Sequence, residues 1–98
     1  MLKNLKRWLM EYKFEKSFAR DFKNLNNKDL AKAILGCAKK VSDAKTIKDI
    51  PNLKKITGYK SAYRIRTGDY RIGLIIENNE AIFVAFAHRK EIYRHFPK

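Results

Sequence analysis

Arginines set the chemistry open to this chain. The stretch from Tyr63 to Ile72 reads YRIRTGDYRI, and a later apolar run leads into His88-Arg89-Lys90-Glu91-Ile92-Tyr93-Arg94, so Arg64, Arg66, Arg71 and Arg89 fall where strands would meet solvent. A guanidinium is planar, permanently charged and shaped to grip phosphate. Several of them on one face of a small sheet make a surface suited to nucleic acid or another polyanion. The charge balance agrees, since 23 Lys and Arg against 10 Asp and Glu leave +13, more than solubility asks of a small domain. An acidic partner is expected: nucleic acid first, an acidic protein second, an anionic membrane surface third.

The 98 residues allow one domain with one modest core. Residues 1–10 read as a leader or an extra N-terminal helix, with Leu2, Leu5 and Leu9 at helical spacing beside Lys3, Lys6 and Arg7; Met10 is a plausible alternative start. Residues 11–98 read as the domain. Tyr12 and Phe14 alternate with charges as in a short strand, and Ser17 offers a helix N-cap ahead of Phe18, Phe22 and Leu25. Asn26-Asn27 breaks that run, and Asn27 can cap a second helix whose apolar stripe is Leu30, Ile34, Cys37, Ala38 and Val41. The segment Asp43 to Lys60 reads as a lysine-bearing loop. Three strand-like runs follow, Ala62 to Arg66, Tyr70 to Glu77 and Ala81 to Ala87, joined by the turn signals Gly68-Asp69 and Asn78-Asn79. The expected fold is α+β: an N-terminal helical hairpin on a small, mainly antiparallel sheet of three to four strands.

No apolar run approaches the ~20 residues of a membrane span. Cys37 is the single cysteine, which excludes an internal disulfide, argues against a thiolate metal cage and suits a reducing cytoplasm. Its helical apolar context makes it a small core residue rather than a nucleophile.

Period-two alternation sorts the strands onto two faces. Tyr63, Ile65, Tyr70, Ile72, Leu74, Ile76, Ile82, Val84 and Phe86 are expected to cover the helices. The opposite face takes Ala62, Arg64, Arg66, Arg71, Gly73, Ile75, Phe83, Ala85, Ala87 and Arg89, a mixture of long cations and small residues that would leave a shallow hollow. Such a hollow can admit a phosphate backbone, with Phe83 placed to stack a base, or receive side chains of a protein partner. Lys54, Lys55, Lys60, Phe83 and His88 complete the expected RNA-binding set, although alternation turns His88 toward the core side. His95 reads as a frayed C-terminal residue.

These residues resemble the RelE/ParE superfamily of toxins from type II toxin-antitoxin pairs. The resemblance runs from Lys13 to about Phe96 and rests on KSFARDF before the helical hairpin, the step Ile56-Thr57-Gly58, YRIRTGDYRI and the closing AHRKEIYR. It implies a metal-independent, cofactor-free endoribonuclease that cuts mRNA in the ribosomal A site, the ribose 2′-hydroxyl attacking the adjacent phosphate. It places the matching functional positions at Arg64, Arg66, Arg71, Arg89 and Tyr93. It further implies a cognate antitoxin that covers the basic surface. RelE-like proteins carry lysines where this chain has Arg64 and Arg66, and arginine, which stays protonated far above neutral pH, does not give up its proton to act as a base. The general base is therefore unassigned, with the imidazoles of His88 and His95 as the substitutes the sequence offers. Two other readings stay open: a ParE-like inhibitor of DNA gyrase, and a degenerate member that only binds antitoxin and represses its operon.

Overall fold

The computed structural model describes residues 10–97, so the reading of residues 1–9 as a leader lies outside the described residues. Strand β1 (Glu11–Phe14) enters the sheet and is followed by helices α1 (Lys16–Lys23) and α2 (Lys28–Asp43); then come β2 (Leu53–Lys55), β3 (Ala62–Thr67), β4 (Tyr70–Glu77), β5 (Glu80–His88) and the single helical turn α3 (Ile92–His95). The sheet has five strands in the order β1-β5-β4-β3-β2, with β1 parallel to β5 and every other pair antiparallel. The two helices pack on one side, and the expected α+β architecture holds with a larger sheet.

Local chemistry explains most boundaries. Asn27 caps α2, its side-chain oxygen accepting from the Leu30 N–H at 3.0 Å, and Leu30, Ile34, Ala38 and Val41 are buried along one stripe. Ser17 does not cap α1: Glu15 holds the N-cap position, and the Ser17 hydroxyl donates to Glu15 Oε1 at 2.7 Å. Asn78 and Asn79 both take positive φ, 51° and 63°, as a type I′ turn between β4 and β5 requires. The expected loop from Asp43 to Lys60 contains more order than its composition suggested. Thr46 and Asp49 close a capping box on a 3₁₀ turn, Ile47–Asp49, and Leu53–Lys55 adds β2 to the edge of β3. A strand of three residues, two of them lysine, shows no alternation to read. Met10, a proposed alternative start, is a core residue whose N–H donates to Ala44 O at 2.8 Å.

One β-bulge changes the sorting of faces. Gly73 pairs with Ala85 but Leu74 pairs with Phe83, which leaves Val84 as the extra residue of β5 and reverses the alternation on its N-terminal side. Phe83 is thereby turned into the helix-side core, fully buried, with Phe14 at 5.3 Å and Phe18 at 5.7 Å between ring centres. Its expected place on the open face is wrong. Ile82 now pairs with Ile75, and Val84 packs in a second, smaller cluster around Ala62, Ile92 and Phe96. That cluster sits on the face away from the helical hairpin, and it is roofed by α3 and the residue after it.

Candidate nucleic-acid interface

Register brings the cations together. Lys54 stands opposite Arg64, which stands opposite Gly73; one row along, Arg66 stands opposite Arg71, which stands opposite Ala87. Directly paired residues project to the same side, so Lys54, Arg64, Arg66 and Arg71 share the open face. Arg89 follows β5, and its N–H donates to Asp69 O at 2.7 Å, tying the strand end to the β3–β4 turn beside Arg71. Tyr93 projects from α3 with 58 % of its surface exposed.

Arg71 is the centre of the group. Its Nη1 donates to the carbonyls of Gly68 at 3.0 Å and Tyr70 at 2.9 Å, which fixes one edge of the fork and leaves the rest available. Desolvation by burial, then the positive fields of Arg64, Arg66 and Arg89, hold this guanidinium below the ordinary arginine range, and Tyr93 acts in the opposite sense. Arg71 therefore lies within the fields of the other four residues singled out from the sequence. Among the described residues the ion pairs are Lys13–Glu80, Arg20–Asp21, Lys39–Asp43 and Arg94–Glu91, so no carboxylate there neutralises the cluster. Like charges gathered without counter-ions on a sheet attract a polyanion.

The remaining expected residues divide. Lys54 joins the cluster. Lys55 stands opposite Tyr63 and so projects to the helix side. Lys60 lies in the β2–β3 loop, where it lines a groove of about 710 Å³ with Tyr59, Ala85, Ala87, His95 and Phe96. Phe83 is buried and cannot stack a base. His88 pairs with Tyr70 on the helix-side face, its ring edge-on to that tyrosine at 5.8 Å and its Nδ1 accepting from the Lys90 N–H at 3.2 Å, so it stands apart from the arginines. His95 closes the helical turn α3 rather than fraying.

The hollow is also partly occupied. A Cβ on Gly73 would press into the Phe96 ring, 2.9 Å from Cε2 and nearer still to Cγ. The small residues make room for the chain's own Phe96 ring. Sequence reasoning missed Phe96 here, and the available signal was Gly73 itself, since a glycine inside a strand marks close approach by another group. Cys37 is half-buried against the core; burial pushes its thiol up, with Lys40 opposing. Among the described residues no three His, Cys, Asp or Glu side chains gather as a metal site, and no helix is long and apolar enough to cross a membrane.

A helical hairpin backing a mixed sheet whose free face concentrates arginine defines a small α+β protein with one strongly basic face. Comparison with known proteins makes the class definite. The family described as ParE toxin of type II toxin-antitoxin system, parDE, matches residues 12–93. Toxin RelE3 of Methanocaldococcus jannaschii is 36% identical over 89 residues, covering 90% of this chain and all of the relative. The chain belongs to the RelE/ParE family of toxins of type II toxin-antitoxin systems. Among solved structures, a chain of the RelB-RelE antitoxin-toxin complex from Methanococcus jannaschii superposes with a TM-score of 0.68 at 35% identity, covering 86% of this chain and 98% of that one. The RelBE2 complex from Mycobacterium tuberculosis gives a TM-score of 0.66 at 17% identity, over 83% and 99% of the two chains, and this likeness speaks to the fold alone.

Proposed function

We propose that this toxin is an endoribonuclease that cuts mRNA on the ribosome, and that a RelB-like antitoxin covers its arginine face. The observation that carries the reading is the convergence of Arg64, Arg66, Arg71 and Arg89 with Tyr93 on one open face, with no carboxylate among the described residues to neutralise them. In the reaction the ribose 2′-oxygen bonds to the adjacent phosphorus and the bond from phosphorus to the 5′-oxygen breaks. A 2′,3′-cyclic phosphate and a 5′-hydroxyl result, the proton lost from the 2′-hydroxyl being matched by one gained at the 5′-oxygen. Arg71 and Arg89 clamp the phosphate and stabilise charge as it develops; Arg64, Arg66 and Lys54 steer the backbone; Tyr93 orients a base. Each guanidinium keeps its proton, so the arginines supply charge and position, and proton transfer is left to solvent.

The test is in vitro translation followed by primer extension on the message. Cuts within codons are expected with intact ribosomes, and none where the ribose at the cut carries no 2′-hydroxyl. Uncut messages during translational arrest would overturn the reading. The ParE identity of the matching family favours one other function, a binding protein directed at DNA gyrase. On induction in cells that reading requires DNA replication to stop first with messages intact.

A further inference from the structure

We infer that Gly73 is a positioning residue for Tyr93: by leaving room in the middle of β4 for the Phe96 ring, it seats the C-terminal turn α3 and so fixes where Tyr93 stands beside the arginines. The inference rests on the nuclease reading only for what Tyr93 does once it is placed.

Three observations lead there. First, Gly73 has no backbone reason to be glycine. Gly58 and Gly68 take φ of 89° and 59° in turns, but Gly73 takes no positive φ; it is buried in β4, paired on both sides with Arg64 and Ala85, and the extra residue of the adjoining bulge is Val84 on β5. Glycine weakens a strand interior, and what stands in the place of its side chain is the Phe96 ring. Second, α3 has only four residues, far below the ~12 at which a helix begins to hold by itself. Its order must come from anchors, and it has two: Ile92 at 0% and Phe96 at 2% exposure, packed with buried Ala62 over the sheet. They are spaced i and i+4, so they descend from one side of the turn, and Tyr93 between them is turned outward. Third, Gly73 is two residues from Arg71 on the same strand and the same face, a separation of about 7 Å. The seat of the turn is therefore the position next to the guanidinium at the centre of the cluster.

Two variants of the full chain test this, Gly73→Ala and Gly73→Ala with Phe96→Leu, the second giving up ring volume for the added methyl. Amide hydrogen exchange is read at Arg94 and Phe96, whose N–H groups donate to Glu91 O at 3.0 Å and Ile92 O at 2.9 Å. RNA cleavage is read as kcat and KM separately. Gly73→Ala is expected to speed exchange at both amides by roughly tenfold or more while β3 and β4 stay protected. It is also expected to lower kcat by roughly tenfold or more with KM within about twofold, because every arginine remains. The double variant restores both. Wild-type exchange at Arg94 and Phe96 in Gly73→Ala would overturn the inference, and so would a kcat that stays low in a double variant whose turn is protected again. Should Gly73→Ala fail to fold, Phe96→Ala, which opens space instead of closing it, carries the same expectations. If the wild-type chain cuts no RNA, the nuclease reading falls, and the exchange comparison still decides the seat.

Discussion

Removing two of the four clustered guanidinium groups should halve the share of the salt sensitivity of RNA binding that those four groups carry. Each phosphate neutralised on single-stranded nucleic acid contributes about −0.7 to the slope of log affinity against log salt. Contacts from Arg64, Arg66, Arg71 and Arg89 alone therefore predict a slope of about −2.8, and raising salt from about 50 mM to about 200 mM weakens binding by roughly 50-fold. Arg71→Ala with Arg89→Ala leaves two contacts, a slope of about −1.4 and a loss of roughly sevenfold over the same range. Among the described residues the Arg71 fork bonds only to the carbonyls of Gly68 and Tyr70 at the β3–β4 turn, and Arg89 meets that turn through its backbone N–H, so neither change empties the core. The assay is fluorescence anisotropy of a short RNA with 2′-deoxyribose at the scissile position, titrated at several salt concentrations, with circular dichroism to establish that the variant is folded. A folded double variant that keeps the wild-type slope would show that this face does not carry the phosphate contacts.

Phe83 separates structure from binding. Its ring is fully buried among Tyr12, Phe14 and Phe18, so Phe83→Ala should cost about 3–5 kcal/mol in urea unfolding, while a folded Phe83→Leu should bind RNA within about twofold of wild type; a large affinity loss in that variant would contradict the burial. Cys37 gives a signature at alkaline pH. Burial raises its thiol pKa, against the smaller opposing effect of Lys40, so the folded chain holds the proton where the unfolded chain has lost it. Stability is then intact below the ordinary thiol value of about 8.5 and falls as pH rises through the folded value. Cys37→Ala should flatten that fall in melts taken across the alkaline range, and alkylation at neutral pH should be slow in the native protein and fast in urea.

The sequence carried the arginine face because Arg64, Arg66 and Arg71 lie on either side of a two-residue turn, where pairing is forced and alternation is short enough to be read without error. It carried the helical hairpin because Asn27 and the stripe from Leu30 to Val41 signal locally. Phe83 failed for a nonlocal reason. Nothing in EAIFVAFAH marks Val84 as the bulged residue, and once one residue is extra, every assignment on its far side inverts. Strand β1 read as a strand by itself, but its partner is the last strand of the chain in parallel register, and a pairing across some 70 residues leaves no local trace. His88 was placed correctly by alternation, on the helix side beside Tyr70 and apart from the arginines.

The two halves of the open face explain each other. Guanidinium groups in mutual view repel by roughly 1 kcal/mol per close pair even in water, and a flexible segment bearing them would splay. Here three of them stand on β3 and β4, paired strands whose helix-side surface is the main core, so their backbones are held side by side by that packing. The fourth, Arg89, is tied to the turn at Asp69 through its backbone. Tyr93 has no strand to hold it, and the apolar half of the same face supplies what a short turn lacks, with Ile92 and Phe96 sunk onto Ala62, Gly73 and Ala85. Small residues on the open face thus serve the charged residues indirectly. They create a socket for the Phe96 ring, and through it they seat the short turn that carries Tyr93.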